Sequence, residues 1–318
     1  MNVTKIFYKN SIAKKKKGLG EYSLLDTKNE KYFIRELISN SLTSKKKKLI
    51  LMCILSSVVY RVNNTFLPSQ TESNESITED DHIKEFKDIC YSWNLNSDNS
   101  SIYNLDNQCV FGIFIIQKIL VISFKGSSSL NDFLNNLNFQ TVDLNHKDSC
   151  EFQCNIKLEG KIHNGAYNIL FGGKKRKRIN FILEKIKESL SGISEIYITG
   201  HSLGGLVGTI FHSYITTLQS CLTESKQDNY LNNCSIKLIT FGAPRPGDSK
   251  FCNSIKNSIR VVNDNDLVPK LPLPINYSHP ESLLHIGSKP NVNCLFNPIT
   301  SIDDHEIYDY YTNLLSME

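Results

Sequence analysis

From about residue 109 onward, apolar and polar positions alternate between two periods. Short runs rich in β-branched and aromatic residues predict strands at Val110–Ile116, Leu120–Phe124, Glu195–Thr199, Ile236–Phe241, Ser258–Val262 and Leu283–Ile286. Longer segments with helical spacing lie between them. Arg176–Leu190 sets Ile179, Ile182, Ile186 and Leu190 on one face, and Leu203–Leu218 predicts a second helix. Pro246-Gly247-Asp248 introduces a third, Asp248–Asn257, and Asp304–Leu315 predicts the last. Strands alternating with helices of this length predict a mainly parallel central sheet with helices on both faces. Ligand chemistry on such a sheet belongs at the carboxyl ends of its strands.

The N-terminal part reads differently. Residues 1–48 carry two lysine tetrads, Lys14–Lys17 and Lys45–Lys48, and little apolar periodicity, which predicts a basic flexible extension ahead of a domain over residues 49–318. The apolar run Leu49–Tyr60 is too short to span a bilayer, which takes about 20 residues. Its length suits a buried helix or a signal-like segment; it lies far from the first residue for a secretory signal and lacks an A-x-A-like cleavage site, which favours the buried helix. Residues 61–82 are polar and predict a loop.

Composition narrows the class. A chain of 318 residues with 40% apolar and 21% charged positions has the makeup of an ordinary globular protein. A net charge of +4, dispersed along the chain, argues against nucleic acid as a partner. Nine scattered cysteines do not form a disulfide framework. Cys150 and Cys154 are the one close pair, and His146 and His163 near them miss zinc-site spacing, so no metal site is expected. Asn-x-Ser/Thr triplets starting at Asn63, Asn74 and Asn276 are as frequent as chance dictates and do not establish secretion. The run Lys174–Arg178 reads as the solvated start of a surface helix. A cytoplasmic or membrane-peripheral location is the expectation, with secretion as the alternative.

The candidate chemistry lies in Ile196–Phe211, where a short apolar strand runs into Gly200-His201-Ser202-Leu203-Gly204 and an apolar helix follows. A G-x-S-x-G segment between strand and helix predicts a nucleophile elbow. Gly200 and Gly204 keep space clear around a turn too tight for side chains. Ser202 then stands above the sheet edge at a helix N-terminus, where the Leu203 amide can meet a developing oxyanion. A serine hydroxyl needs a base and an orienting carboxylate. Downstream histidines outside the helix after Ser202 are His279, His285 and His305, and the acids include Asp248, Asp264, Asp266 and Glu281. Asp264 and Asp266 both follow the strand Ser258–Val262, where a sheet-end carboxylate belongs, and spacing leaves the choice between them open. His305 opens the last helix after a long loop that can return it over the sheet.

Several stretches carry a family resemblance. They are Val121–Phe124 followed by Lys125-Gly126-Ser127-Ser128-Ser129, Ile162-His163-Asn164-Gly165, Thr199–Gly205, Phe241-Gly242-Ala243-Pro244-Arg245-Pro246-Gly247, Asn265-Asp266-Leu267-Val268-Pro269-Lys270-Leu271-Pro272, and Asp304-His305-Glu306-Ile307-Tyr308. Together, over roughly residues 109–315, the chain resembles the fungal-lipase-like class 3 lipases of the α/β-hydrolase superfamily. That family includes secreted fungal triacylglycerol lipases, plant acylhydrolases and diacylglycerol lipases. The resemblance implies an α/β-hydrolase fold, with Asp266 as the acid and His305 as the base. It places His279 at a position that is not the catalytic base. It implies Ser127 as the second oxyanion donor, which agrees with a strand end at Phe124 and a sharp exit at Gly126. Two departures are visible: Lys125 stands where the family usually has Arg, and Leu273 where a second proline is common.

After Ser129, the residues Leu130, Phe133, Leu134 and Leu137 fall at i, i+3, i+4 and i+7, a short helix with one apolar face. The resemblance implies a lid there, and packing on the core is the plainer reading. The expected function is therefore that of a serine ester hydrolase, cleaving acyl esters of glycerolipids through an acyl-enzyme on Ser202. Triacylglycerol or diacylglycerol lipase and phospholipase A1 are the expected types. A small-molecule esterase or acyltransferase, or a non-catalytic lipase-like signalling scaffold, are the alternatives. The expected partner is a lipid ester, with peripheral contact at a membrane or lipid droplet surface. The triad needs no cofactor, and none is expected. Oligomeric state is not set by the sequence.

Overall fold

A seven-stranded sheet runs through the molecule in the order β1-β2-β3-β6-β7-β8-β9. Its strands are β1 (Ser100–Leu105), β2 (Cys109–Ile116), β3 (Ile119–Phe124), β6 (Glu195–His201), β7 (Ser235–Phe241), β8 (Ser258–Asn263) and β9 (Leu283–Ile286). The computed structural model describes residues 28–40, 42–61, 88, 90–91, 95, 100–106, 108–127, 140–146, 156–172, 177–225, 230–288 and 301–317. β3, β6, β7, β8 and β9 pair in parallel, and β1 and β2 add an antiparallel edge. A separate antiparallel pair, β4 (Thr141–His146) with β5 (Ile156–His163), stands beside it. The six strands expected from the pattern are all present. β1, β4 and β5, which that pattern left unassigned, are shorter in apolar content and more mixed in polarity.

Period-two alternation in the parallel strands serves two cores. Leu120, Ile122 and Phe124 of β3, Ile196 and Ile198 of β6, and Ile236 and Leu238 of β7 belong to one. Covering it are α3 (Asn164–Phe171), α4 (Lys177–Glu188), α5 (Leu203–Glu224) and α6 (Ser249–Ser254). α5 contributes Leu206, Val207, Ile210, Phe211, Tyr214 and Leu218. Asp248 caps α6 by accepting the Phe251 N–H at 2.8 Å.

Val121, Tyr197, Ile239 and Phe241 point to the opposite face. That face is covered by α1 (Lys28–Ser39), α2 (Lys45–Val58) and α7 (Ile307–Ser316). Leu49–Val58 of α2 is buried on every side, as the apolar run predicts. Its two serines are tolerated because each is bonded: Ser56 Oγ meets Thr199 Oγ1 at 3.0 Å, and Ser57 Oγ donates to Ile54 O at 2.7 Å. Each fully buried Leu or Ile of this helix contributes about 1.5–3 kcal/mol at most. Lys48, at its start, pairs with Glu195 at 3.1 Å. A flexible extension ending at residue 48 is therefore not what the structure shows for residues 28–48. Ile34, Leu37 and Ile38 of α1 fall at i, i+3 and i+4 and are buried in the second core, a stripe masked in sequence by charged neighbours. Residues 1–27 lie outside the described residues.

Candidate active site

The elbow forms where β6 ends and α5 begins. Ser202 has φ 58° and ψ −130°, a strained left-handed conformation for a residue with a Cβ. Neighbouring glycines make it feasible: a Cβ on Gly200 would strike the Gly204 carbonyl group, and one on Gly204 would strike the Phe124 carbonyl oxygen. The Ser202 carbonyl accepts the N–H groups of Gly205 at 3.0 Å and Leu206 at 3.2 Å. Leu203 and Gly204 occupy the first helical turn, whose amides have no intrahelical acceptor.

The acid and base of the candidate triad meet at the ends of β8 and the turn before α7. His305 sits in a single 3-10 turn, Asp303–His305. Its Nδ1 lies 2.7 Å from Asp266 Oδ2. A carboxylate only accepts, so Nδ1 carries the hydrogen, and in a neutral imidazole that tautomer leaves the lone pair on Nε2. That Nε2 is buried and has no hydrogen-bond partner, so the Ser202 hydroxyl is not bonded to it. Asp266 is fully buried and takes two more donors, the Tyr310 hydroxyl on Oδ2 at 2.6 Å and the Val268 N–H on Oδ1 at 2.8 Å. Burial, and then the Asp266 charge, push the Tyr310 hydroxyl well above the usual phenol range. The turn is held by Asn263 Nδ2, donating to Asp304 O at 3.0 Å, and by the Asn265 N–H, donating to Asp304 Oδ2 at 3.1 Å.

Gly242 brings the two halves together. The Ser202 N–H donates to Phe241 O at 2.9 Å, and the next residue, Gly242, has φ 58°. A Cβ there would lie 2.9 Å from Asp266 Oδ2 and 2.9 Å from His305 Nδ1 and Cε1. Only a glycine lets the acid–base pair approach this strand end so closely. From the other side, the His201 ring lies over the His305 ring, centroids 4.5 Å apart and planes 32° from parallel.

The remaining sequence candidates separate clearly. Asp264 follows the same strand but turns away at φ 40°, and its carbonyl accepts from His285 Nε2 at 2.8 Å. His279 Nε2 donates to Pro269 O at 2.6 Å, a structural contact, and burial holds that imidazole well below the usual range. Ser127 is half-buried beyond the end of β3, where Phe124 pairs with Gly200 and the backbone of Phe124 and Lys125 packs against Gly204. Burial lowers the Lys125 ammonium to about 8. The helix expected at Leu130, Phe133, Leu134 and Leu137 lies outside the described residues, as do Cys150, Cys154 and Cys294. Cys53, Cys90, Cys109, Cys221, Cys234 and Cys252 are free thiols. Sequence reasoning missed Tyr310 and Tyr60, because a tyrosine inside an apolar run carries no mark of its hydrogen-bond partner.

A mostly parallel sheet, helices on both faces and a strand–turn–helix elbow at its carboxyl edge define an α/β-hydrolase fold. Residues 121–276, just under half of the chain, match the sequence profile of the family Lipase (class 3), and over that stretch the chain is similar to its members. It is 28% identical over 160 residues to a lipase of Rhizomucor miehei, an overlap covering 49% of this chain and 38% of that protein. It is 29% identical over 114 residues to phospholipase A1-II 1 of Oryza sativa subsp. indica, covering 34% of this chain and 26% of that protein. The chain thus spans well under half the length of these curated relatives. A solved triacylglycerol lipase, described as having a serine protease triad as its catalytic centre, superposes with a TM-score of 0.55 at 22% identity, over 87% of this chain and 98% of that one. No helix among the described residues is long and apolar enough to cross a membrane.

Proposed function

We propose that this protein is a serine ester hydrolase that cleaves acyl esters of glycerolipids, with Ser202 as nucleophile, His305 as base and Asp266 as the orienting acid. The observation that carries this reading is the buried Asp266–His305 hydrogen bond, which leaves the lone pair of Nε2 unengaged beside the elbow. Ser202 Oγ attacks the ester carbonyl carbon as Nε2 takes its proton. The tetrahedral oxyanion faces the amides of Leu203 and Ser127, and loss of one such donor typically costs about 2.7–4 kcal/mol. Collapse expels the alcohol, which takes the proton from His305, and the acyl group stays on Ser202. Water then attacks the acyl carbon, again giving its proton to Nε2, and the carboxylic acid leaves as Ser202 recovers its hydrogen. The mechanism requires the Ser202 hydroxyl to meet Nε2 once substrate is bound; such catalytic hydrogen bonds commonly tighten only in the substrate complex.

A triacylglycerol lipase and a phospholipase A1 both stand among the similar proteins, which supports a glycerolipid ester without choosing its head group. Such substrates sit in membranes or droplets, so we place the protein in peripheral contact with such a surface. Incubation with a fluorophosphonate probe tests the nucleophile: labelling is expected in the native protein and absent in Ser202→Ala. Hydrolysis of mono-, di- and triacylglycerols and phospholipids, with Ser202→Ala as blank, tests the substrate class. Labelling that persists in Ser202→Ala sinks the proposal.

A further inference from the structure

Tyr60, in the turn Val59–Arg61 that ends α2, places its hydroxyl where three parts of the site converge. The hydroxyl lies 3.0 Å from His201 Nδ1 and 3.2 Å from His201 O. It also fills the space beside Gly126, where any Cβ would collide with it and would lie 2.6 Å from the His201 carbonyl oxygen. Gly126 precedes Ser127, and His201 precedes Ser202. On its far side, His201 Nε2 lies 2.8 Å from the backbone oxygen of His305.

The direction of these bonds follows from chemistry. A backbone oxygen has only lone pairs to offer, so His201 Nε2 must carry the hydrogen and donate it. Burial, reinforced by the neighbouring His305, holds the His201 imidazole well below its usual range, so the ring is neutral. Nδ1 is then an acceptor, and the one hydrogen of the Tyr60 hydroxyl serves Nδ1 or the His201 carbonyl oxygen. A tautomer with the hydrogen on Nδ1 would set two lone pairs against each other at His305 O. The contact at His305 O therefore sets the tautomer, and the Tyr60 hydroxyl, which then faces only acceptors on His201, supports the form that grips the backbone of His305.

We propose that Tyr60 and His201 act as a two-residue relay of positioning residues, fixing the backbone of His305 relative to Ser202 and the Gly126–Ser127 turn. This rests on the reading of Ser202 and His305 as nucleophile and base. The helical segment before Tyr60 thereby contributes to turnover through a hydrogen bond, besides covering the sheet.

The test uses the full chain and a soluble short-chain ester, with kcat and KM measured separately and folding checked by circular dichroism and thermal unfolding. Tyr60→Phe removes one hydroxyl from a near-isosteric ring. It is expected to lower kcat about tenfold with KM within about twofold, since a misplaced base slows chemistry more than binding. His201→Leu is expected to lower kcat by about 30-fold or more, whereas His201→Gln, whose amide can donate to His305 O and accept from Tyr60, is expected to stay within about threefold of wild type. The double variant Tyr60→Phe/His201→Leu is expected to match His201→Leu within about twofold, because both changes cut one relay. Multiplying losses in the double variant, or equal losses in His201→Gln and His201→Leu, would overturn the relay. So would native kcat in both Tyr60→Phe and His201→Leu while Ser202→Ala is inactive. Full activity in Ser202→Ala would instead overturn the assignment of the nucleophile, and the relay with it.

Discussion

The hydroxyl of Tyr310 donates to Asp266 Oδ2 at 2.6 Å, on the same oxygen that receives the Nδ1 hydrogen of His305. A fully buried carboxylate is costly unless its lone pairs are occupied, and this one is satisfied by a phenol, an imidazole and an amide. Tyr310→Phe takes away one of the three donors. Urea denaturation should show a loss of about 1–3 kcal/mol, accompanied by a several-fold fall in kcat as the carboxylate facing the imidazole is held less firmly. An unchanged unfolding midpoint would mean that the phenol contributes nothing to holding the acid.

Asp264 and Asp266 can be told apart by one pair of variants. Asp266→Asn keeps the shape but offers an amide in place of a carboxylate, favouring the wrong tautomer of His305. By analogy with serine hydrolase triads, kcat should drop by about 10⁴-fold. Asp264→Asn should leave kcat within about threefold, since that carboxylate lies beside Gly287, where a Cβ would meet it. Equal losses in the two would contradict the assignment of the acid.

Leu51 tests whether α2 belongs to the folded core. It is fully buried within the second core. Leu51→Ala should cost about 2–5 kcal/mol in urea unfolding, the range for a large-to-small change in a packed interior. A cost near zero would show that the helix adds little to the stability of the sheet it covers.

Acid should weaken the fold through its buried imidazoles. Burial lowers His163 and His212 from 6.5 to about 4 in the native state. Between those values the unfolded chain binds protons that the native state refuses, so stability falls as pH drops through that window. Two such sites give a slope of up to about 2.7 kcal/mol per pH unit. Above the unfolded value both states are neutral and this contribution is flat. His201 and His279, held well below 6.5 by burial, add to the slope. Urea midpoints compared at about pH 7 and about pH 5 should show the loss, and a flat profile would contradict it.

The strands and the elbow were legible because each reports locally. Ile196 and Ile198 face one core and Tyr197 the other, and that alternation is written in consecutive residues. Gly200 and Gly204 flank Ser202 for reasons of space that the motif itself encodes. The carboxylate that meets His305 was less legible, since Asp264 and Asp266 are two residues apart on the same turn. Only the backbone twist at Asp264, φ 40°, and the return of Asp304 onto Asn265 separate them in space. Tyr310 was invisible for a related reason: in a terminal helix with apolar spacing, a tyrosine reads as core, and its partner is 44 residues away. α1 went unread because Ile34, Leu37 and Ile38 give one short stripe among charged residues, and only the sheet's uncovered face explains their burial.

The second face of the sheet is closed by contacts between distant ends of the described order, with Cys53 Sγ donating to Ile307 O across 254 residues. Contacts of such sequence separation form late, after most local structure is in place. A nascent chain that has emerged only as far as residue 300 carries the serine turn but not yet His305, the base of the proposed mechanism. On that proposal, hydrolytic competence waits for the segment that carries His305, and a chain still short of it would be inert toward ester substrates.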